Sequence, residues 1–147
     1  MTRIKLHESN KDEASLVNKL VPEFHPKYIE KHFDEKVKNN EHLILIASYD
    51  NKPAGFSVWY DKYTDGSFFC WTTGVAPEYR NKDILKTMMR YGFKWAKNKN
   101  YQKIRIRTKN IRREMLAYLV KYNFMFTQVN EYENIEDNQI ELEKHLI

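Results

Sequence analysis

The spacing of apolar residues changes sharply at one place in the chain, the segment from Gly74 to Leu85. Residues 54–60 and 67–75 before it are typical of β-strands, whereas beyond Pro77 apolar residues recur every three to four positions, as on one face of a helix. That face carries Ile84, Leu85, Met88, Met89, Gly92, Phe93 and Ala96. The sequence therefore predicts a strand, a turn and a long helix in direct succession.

The other elements are predicted from similar local patterns. Ser9 and Asn10, followed by Glu13, resemble a helix-capping signal. The predicted strands cover residues 3–6, 42–49, 54–60, 67–75, 103–109, 124–129 and 139–142. The predicted helices run from the Ser9–Asn10 cap to Phe24, from Pro26 to Val37, from beyond Pro77 to Ala96, and from Ile111 to Tyr122. The order β α α β β β α β α β β predicts a mixed α+β fold, with a largely antiparallel sheet flanked by helices.

One position inside the long helix breaks its pattern. Gly92 costs about 1 kcal/mol relative to alanine in a helix interior. Because a glycine in this position is unfavourable, we expect that close packing requires it and that neighbouring backbone approaches the helix there.

Length and composition favour one packed domain over residues 1–147. The N-terminal residues are polar and the longest apolar runs are too short to span a bilayer, so a cytoplasmic location without a membrane partner is expected. The single cysteine, Cys70, excludes an internal disulfide and is expected to be a small buried hydrophobe rather than a nucleophile. The five histidines show no metal-ligand spacing, so no metal site is predicted.

Basic residues are concentrated between Lys94 and Arg113, and the net charge is +5. An anionic partner, nucleic acid included, could bind this segment, although a run of charge is most often solvated surface. Arg105 and Arg107 could equally mark an exposed sheet edge that charge keeps soluble.

The turn before the long helix is predicted to bind an anion because of the helix end that follows it. The first backbone N–H groups of a helix have no partner within the helix, and the helix dipole is positive at that end. A pyrophosphate can therefore be bound largely by main chain. Arg80, Lys82 and Lys86 would add side-chain charge.

The segment that contains Val75, Pro77 and Arg80 resembles the acetyl-CoA motif of the GNAT acetyltransferases, V-x-P-x-x-R-x-x-G-x-G/A. These three residues match it at the right spacing. Residues 108–110, 115–116 and 121–124 resemble later segments of that family, and the order of elements matches its fold. The resemblance implies an acetyl-CoA-dependent N-acetyltransferase that acts on an amine of a small molecule, peptide or protein. Transfer would be direct, in a ternary complex.

The motif's two small positions hold Asp83 and Leu85, and Asn123 replaces a later glycine. Like charges about 4 Å apart repel by roughly 1 to 4 kcal/mol, so the Asp83 carboxylate would oppose pyrophosphate. Asp83 could instead turn outward or cap the helix, because Asp is a favoured cap and tolerates left-handed backbone. These residues predict an atypical coenzyme A site that relies on backbone and flanking cations.

The resemblance also implies roles for individual residues. A backbone N–H near Val75 would contact the thioester oxygen, and Trp71 could line the acceptor pocket. Tyr118 is the candidate general acid, with Tyr122 as the alternative. Strand residues 68–73 offer no carboxylate, so water, His25 or Glu23 would accept the amine proton. The predicted cofactor residues are Thr73, Val75, Arg80, Asn81, Lys82, Asp83, Ile84, Leu85, Lys86 and Asn110.

A second hypothesis is that the fold no longer catalyses and serves as a binding module for nucleic acid or another anionic partner. The altered glycine positions and the basic segment motivate it. Binding of nucleic acid by this route would fall steeply with salt. Whether the chain is a monomer or a homodimer stays open.

Overall fold

Seven strands and four helices make up the computed structural model, which describes residues 3–147. The strands are β1 (Ile4–Glu8), β2 (His42–Tyr49), β3 (Lys52–Tyr60), β4 (Ser67–Val75), β5 (Lys103–Lys109), β6 (Met125–Asn130) and β7 (Gln139–His145). The helices are α1 (Lys11–Asn18), α2 (Tyr28–Lys36), α3 (Ile84–Asn98) and α4 (Arg113–Lys121). Their order along the chain is the predicted one, and the mixed α+β fold class is confirmed.

All seven strands form one sheet in the order β1-β2-β3-β4-β5-β7-β6. Neighbouring strands are antiparallel except β4 and β5, which are parallel. Helices α3 and α4 cover one face of the sheet, where Trp59, Met88 and Leu119 are buried. Helices α1 and α2 cover the other face, where Ile29 and Phe56 are buried. The apolar residues that alternate along the central strands thus fill two cores.

Helix α1 begins where the capping signal predicts and ends earlier than predicted. The Asn10 side chain accepts a hydrogen bond of 3.0 Å from the Glu13 N–H. The helix stops at Asn18 rather than Phe24, and the buried Asn18 amide donates to the carbonyl oxygen of His25 at 3.0 Å. That bond ties the following loop to the end of α1, and α2 starts at Tyr28 instead of Pro26.

Gly92 lies against a side chain rather than against neighbouring backbone, so that part of the prediction is wrong. A Cβ atom at this position would lie 2.3 Å from Cζ2 of Trp59. Trp59 is fully buried on β3, and the missing side chain lets its indole lie directly on α3. The glycine therefore permits close packing of helix on sheet.

Strand β5 is an interior strand at Arg105, which excludes the sheet-edge interpretation of that residue. Arg107 follows the last β4–β5 pair, at Ile106, and has a paired strand only on the β7 side. Strand β5 lies between β4 and β7, and its cross-strand partners on β7 place Glu143 opposite Arg105 and Glu141 opposite Arg107. The edge strand on this side is β6.

Candidate functional site

Strands β4 and β5 separate part-way along the sheet. Their parallel pairing runs from Ser67 opposite Lys103 to Cys70 opposite Ile106 and ends there. Strand β4 continues to Val75 and pairs only with β3 over that stretch. Its backbone on the β5 side is therefore available to a ligand, and an extended ligand can bind such an edge as an added strand would.

A β-bulge lies at the same point. Thr72 is opposite Val58 and Cys70 is opposite Trp59, so Trp71 is an extra residue without a cross-strand partner on β3. Its half-buried indole N–H donates to the Tyr28 hydroxyl at 3.2 Å. Bulges often re-aim side chains beside active sites. Trp71 thus lies at the start of the opening, on the sheet face that carries α1 and α2.

The turn that leads into α3 contains two residues with left-handed backbone. Asn81 has φ 63° and Asp83 has φ 66°. Asn and Asp adopt this region more readily than other residues with a side chain, and glycine adopts it without strain. Asp83 thus keeps the backbone conformation that a glycine would provide. Its exposed side chain makes no capping hydrogen bond, so it turns outward.

The first turn of α3 leaves three N–H groups available. Within residues 3–147, the backbone N–H groups of Ile84, Leu85 and Lys86 have no hydrogen-bond partner, and the first satisfied one is that of Thr87, which donates to the Asp83 carbonyl. Together with the helix dipole, these groups form a site for an anion.

The Arg80 side chain is already engaged. Its Nε donates to the Val75 carbonyl oxygen at 3.0 Å, and its terminal nitrogen donates to Glu23 at 2.8 Å. The hydrogen bond from Arg80 lowers the pKa of the Glu23 carboxyl, and the same bond raises the pKa of Arg80. The guanidinium charge is therefore offset within the protein, which the sequence did not predict. Lys82 is turned toward the Tyr49 ring, 5.4 Å from its centroid.

The loop between α1 and α2 crosses the end of the opening between β4 and β5. Arg112 donates to the Glu23 carbonyl oxygen at 3.1 Å, and its guanidinium lies 5.7 Å from the Phe24 ring centroid. Phe24 also packs on Gly74, where a Cβ atom would lie 2.9 Å from its ring. The loop thus contacts residues on both sides of the opening.

His25 lies exposed in this loop, and its Nδ1 accepts a hydrogen bond of 3.1 Å from the Lys27 N–H. In the neutral imidazole the proton is then on Nε2. This conformation leaves no free lone pair on His25 for an amine proton.

Thr73 is buried and bonded on the face covered by α3 and α4. Its hydroxyl lies 2.7 Å from that of Ser57 and 3.2 Å from the Cys70 sulfur. Burial raises the pKa of the Cys70 thiol to about 12, so the group stays neutral, as expected of a buried hydrophobe. Only the backbone of Thr73 is available to a ligand in the opening.

Tyr118 is half-buried on α4, with its ring centroid 4.5 Å from that of Tyr122. Burial raises the pKa of its phenol to about 12, and Tyr122 and the Cys70 thiol add smaller effects in the same direction. Tyr118 packs against the core under α3 and α4, in which Cys70 of β4 is buried. At neutral pH the Tyr118 phenol is a proton donor.

Asn110 is used elsewhere: its Oδ1 accepts from Arg113 at 2.8 Å, and its Nδ2 donates to the Ile135 carbonyl at 3.2 Å. The structure thus brings together the β4 backbone, the α3 turn and the α1–α2 loop, whereas the Asn110 side chain is committed to other contacts. Arg112 and Phe24 were missed, because no local pattern marks contacts between distant segments.

The basic segment does not form a surface of one sign. Lys103 pairs with Glu143 at 3.1 Å, and Arg105 pairs with Asp65 at 3.0 Å. None of the helices within residues 3–147 combines the length and the hydropathy that a transmembrane span requires. The same residues contain no cluster of three or more His, Cys, Asp or Glu side chains that could hold a metal ion.

The sequence profile of the acetyltransferase (GNAT) family matches residues 6–124. A GNAT family acetyltransferase from Elizabethkingia anophelis with acetyl-CoA bound is 21% identical, with a TM-score of 0.75 over 99% of this chain and 100% of that one. A Bacillus subtilis acetyltransferase in complex with CoA is 19% identical, with a TM-score of 0.74 over 99% of each chain. The ribosomal-protein alanine N-acetyltransferase from Escherichia coli is 10% identical, with a TM-score of 0.81 over 97% and 94%. No curated protein matches the sequence.

Proposed function

Because the chain belongs to the acetyltransferase (GNAT) family, we propose that it transfers an acetyl group from acetyl-CoA to an amine by direct attack in a ternary complex. The observation that carries the proposal is the opening between β4 and β5 beside the unpartnered N–H groups of α3. One feature suits an extended thioester arm and the other suits a pyrophosphate. The single cysteine fits a reducing compartment such as the cytoplasm, where we propose the protein acts.

Acetyl-CoA would bind through main chain more than through side chains. Its pantetheine arm would pair with the free edge of residues 71–75, and a backbone N–H near Val75 would polarise the thioester carbonyl. The pyrophosphate would accept from the N–H groups of Ile84, Leu85 and Lys86. Arg80 could contribute charge only by exchanging Glu23 for the pyrophosphate, since the two are already paired.

The chemical step needs an acid for the leaving thiolate and an acceptor for the amine proton. The neutral amine would attack the carbonyl carbon, the new C–N bond would form, and the C–S bond would break with its electron pair on sulfur. Tyr118 would then donate its proton to that sulfur. Its raised pKa and its packing against the core that contains Cys70 of β4 support this role.

We propose water as the acceptor of the amine proton, because the two candidate side chains are already engaged. His25 would first have to release the Lys27 N–H, and Glu23 is paired with Arg80. If His25 nevertheless acts as the base, His25→Ala should lower kcat. If water serves, kcat should be unchanged.

Two structurally similar proteins support an amine as the acceptor. One is the ribosomal-protein alanine N-acetyltransferase from Escherichia coli, and the other is a spermidine N-acetyltransferase chimera that is 12% identical to this chain.

The first experiment measures thermal stability with increasing acetyl-CoA, followed by release of free CoA thiol with a panel of amines. A ligand at 100 times its Kd stabilises the folded state by about 2.7 kcal/mol. We expect a shift of that order and amine-dependent thiol release. No shift at millimolar acetyl-CoA would exclude the proposal.

A further inference from the structure

Two cations converge on one aromatic ring on the sheet face that carries α1 and α2. The Lys62 ammonium lies 4.9 Å from the centroid of the Phe69 ring, and the Arg107 guanidinium carbon lies 5.9 Å from it. The Lys62 nitrogen and the Arg107 guanidinium carbon are therefore at most 10.8 Å apart. Both side chains are half-buried, so water screens their repulsion less than it would on an exposed surface.

Neither cation has an anionic partner. Within residues 3–147, no carboxylate lies at ion-pair distance from Lys62 or Arg107, whereas Arg105 on the same strand pairs with Asp65. Glu141 is opposite Arg107 on β7, but its carboxylate accepts from the Asn130 amide at 2.8 Å. An anion that bound between these two cations would therefore be attracted by both.

The electrostatics of Lys62 agree with this geometry. Burial lowers its pKa, and the charges of Arg107 and Lys36 lower it further, while Glu141 acts in the opposite direction. A lysine whose pKa is lowered by burial and by neighbouring cations marks a candidate functional site.

The pair lies beside the position proposed for the acceptor. Phe69 precedes the bulge residue Trp71 by two residues on β4, and the Tyr60 ring contacts both, with centroid distances of 5.8 and 6.2 Å. Helix α3, where acetyl-CoA would bind, lies on the opposite face.

We propose that Lys62 and Arg107 bind a carboxylate of the acceptor, so that the preferred acceptors are amines that also carry a carboxylate. This inference rests on the proposed acetyltransferase activity. The guanidinium presents two parallel donors that match a carboxylate, and the ammonium adds a point charge. The aromatic side chains between them and Trp71 form an apolar floor for the carbon skeleton that joins carboxylate and amine.

The first test measures binding without transfer. In isothermal titration, 3-phenylpropanoate should bind more tightly than the neutral 3-phenylpropanol of similar shape. Arg107→Gln and Lys62→Met should each weaken binding of the acid about tenfold, the effect of one charge-assisted hydrogen bond. Lys103→Gln is the control, because it removes a cation of the same strand that already has a partner, Glu143. Equal binding of acid and alcohol would overturn the inference.

The second test measures transfer with matched pairs of amines. Phenylalanine is compared with phenethylamine, lysine with cadaverine, and 5-aminopentanoate with butylamine, by CoA release. We expect higher kcat/KM for the carboxylate member of each pair that reacts, and a ratio that falls toward one in Arg107→Gln but not in Lys103→Gln. Equal kcat/KM within pairs would overturn the inference and leave the acetyltransferase proposal intact. Carboxylate binding that depends on Lys62 and Arg107, without any CoA release, would support the carboxylate site and count against the acetyltransferase proposal.

Discussion

Glu23 and Arg80 form an ion pair of 2.8 Å that joins the loop between α1 and α2 to the turn before α3. The two side chains are about one-third exposed, so the pair contributes to stability in the range of about 0.2–1 kcal/mol that is typical of such pairs. Its larger consequence concerns binding. An anion at the α3 turn must compete with Glu23 for the Arg80 guanidinium.

Glu23→Gln should strengthen acetyl-CoA binding. The substitution keeps the size of the side chain and removes the charge that offsets Arg80, and a gain of up to 1 kcal/mol corresponds to about two- to fivefold lower Kd. Isothermal titration measures it. Glu30→Gln, which loses only the exposed contact to Lys19 at 3.8 Å, should leave Kd unchanged. Weaker binding in Glu23→Gln would mean that Glu23 holds Arg80 in its binding position.

The same pair gives a pH dependence of stability. Arg80 lowers the pKa of Glu23 from its ordinary value of 4.5, so the stabilisation is fully present above that value and is lost as pH falls through the lowered pKa. The difference in the free energy of unfolding between the wild type and Glu23→Gln should therefore be constant from pH 5.5 to 7 and shrink below about pH 4.5. Urea unfolding at a series of pH values measures it. A difference that persists at low pH would assign the effect to packing.

Three substitutions of Asp83 separate the effect of its charge on binding from the effect of its backbone conformation on stability. Asp83→Asn removes the carboxylate and keeps a residue that tolerates the left-handed φ of 66°, so acetyl-CoA should bind about fivefold more tightly, as expected for about 1 kcal/mol of repulsion. Asp83→Gly should bind at least as tightly and also raise the Tm, because glycine has no strain there. Asp83→Ala removes the charge as well but should lower the Tm. Unchanged affinity in all three variants would show that the outward carboxylate does not reach the pyrophosphate.

The order of strands and helices was predictable because each element is specified by neighbouring residues. Asp50 and Asn51, for example, both have positive φ in the turn between β2 and β3, the conformation that Asp and Asn favour in a hairpin. The left-handed backbone at Asp83 could be predicted for the same reason, because Asp tolerates that conformation. Cap, turn and helical repeat are all local patterns.

The opening between β4 and β5 and the bulge at Trp71 were not predictable in this way. Both depend on which strands become neighbours and on where their pairing stops, and parallel pairing joins segments distant in sequence. The same holds for Glu23 with Arg80 and for Lys62 with Arg107. The sequence predicted the residue types of a cofactor site but not which charges were already paired.

Gly92→Ala should destabilise the protein by about 1–3 kcal/mol, the usual cost of overpacking a core. The new methyl group would lie 2.3 Å from the Trp59 ring, and neither side chain has space to move. Thermal unfolding measures the loss, with the exposed Lys94→Ala on the same helix as control. In a Trp59→Phe background, where the outer ring of the indole is absent, the same change should cost less. An equal cost in both backgrounds would assign the effect to something other than Trp59.

Tyr118→Phe should lower kcat by about 10²- to 10⁴-fold, the usual contribution of a general acid. The affinity for acetyl-CoA should change little, because the phenol acts on the departing sulfur and not on the pyrophosphate. Tyr122→Phe is the matched control: it removes a neighbouring phenol, 4.5 Å away between ring centroids, and should leave kcat within a few-fold of the wild type. Because burial raises the pKa of Tyr118 to about 12, the acid stays protonated throughout the accessible range, and wild-type kcat should show no alkaline loss below about pH 10 that depends on Tyr118. An alkaline limb near pH 9 that disappears in Tyr118→Phe would contradict the raised pKa, and a larger effect in Tyr122→Phe would move the acid to Tyr122.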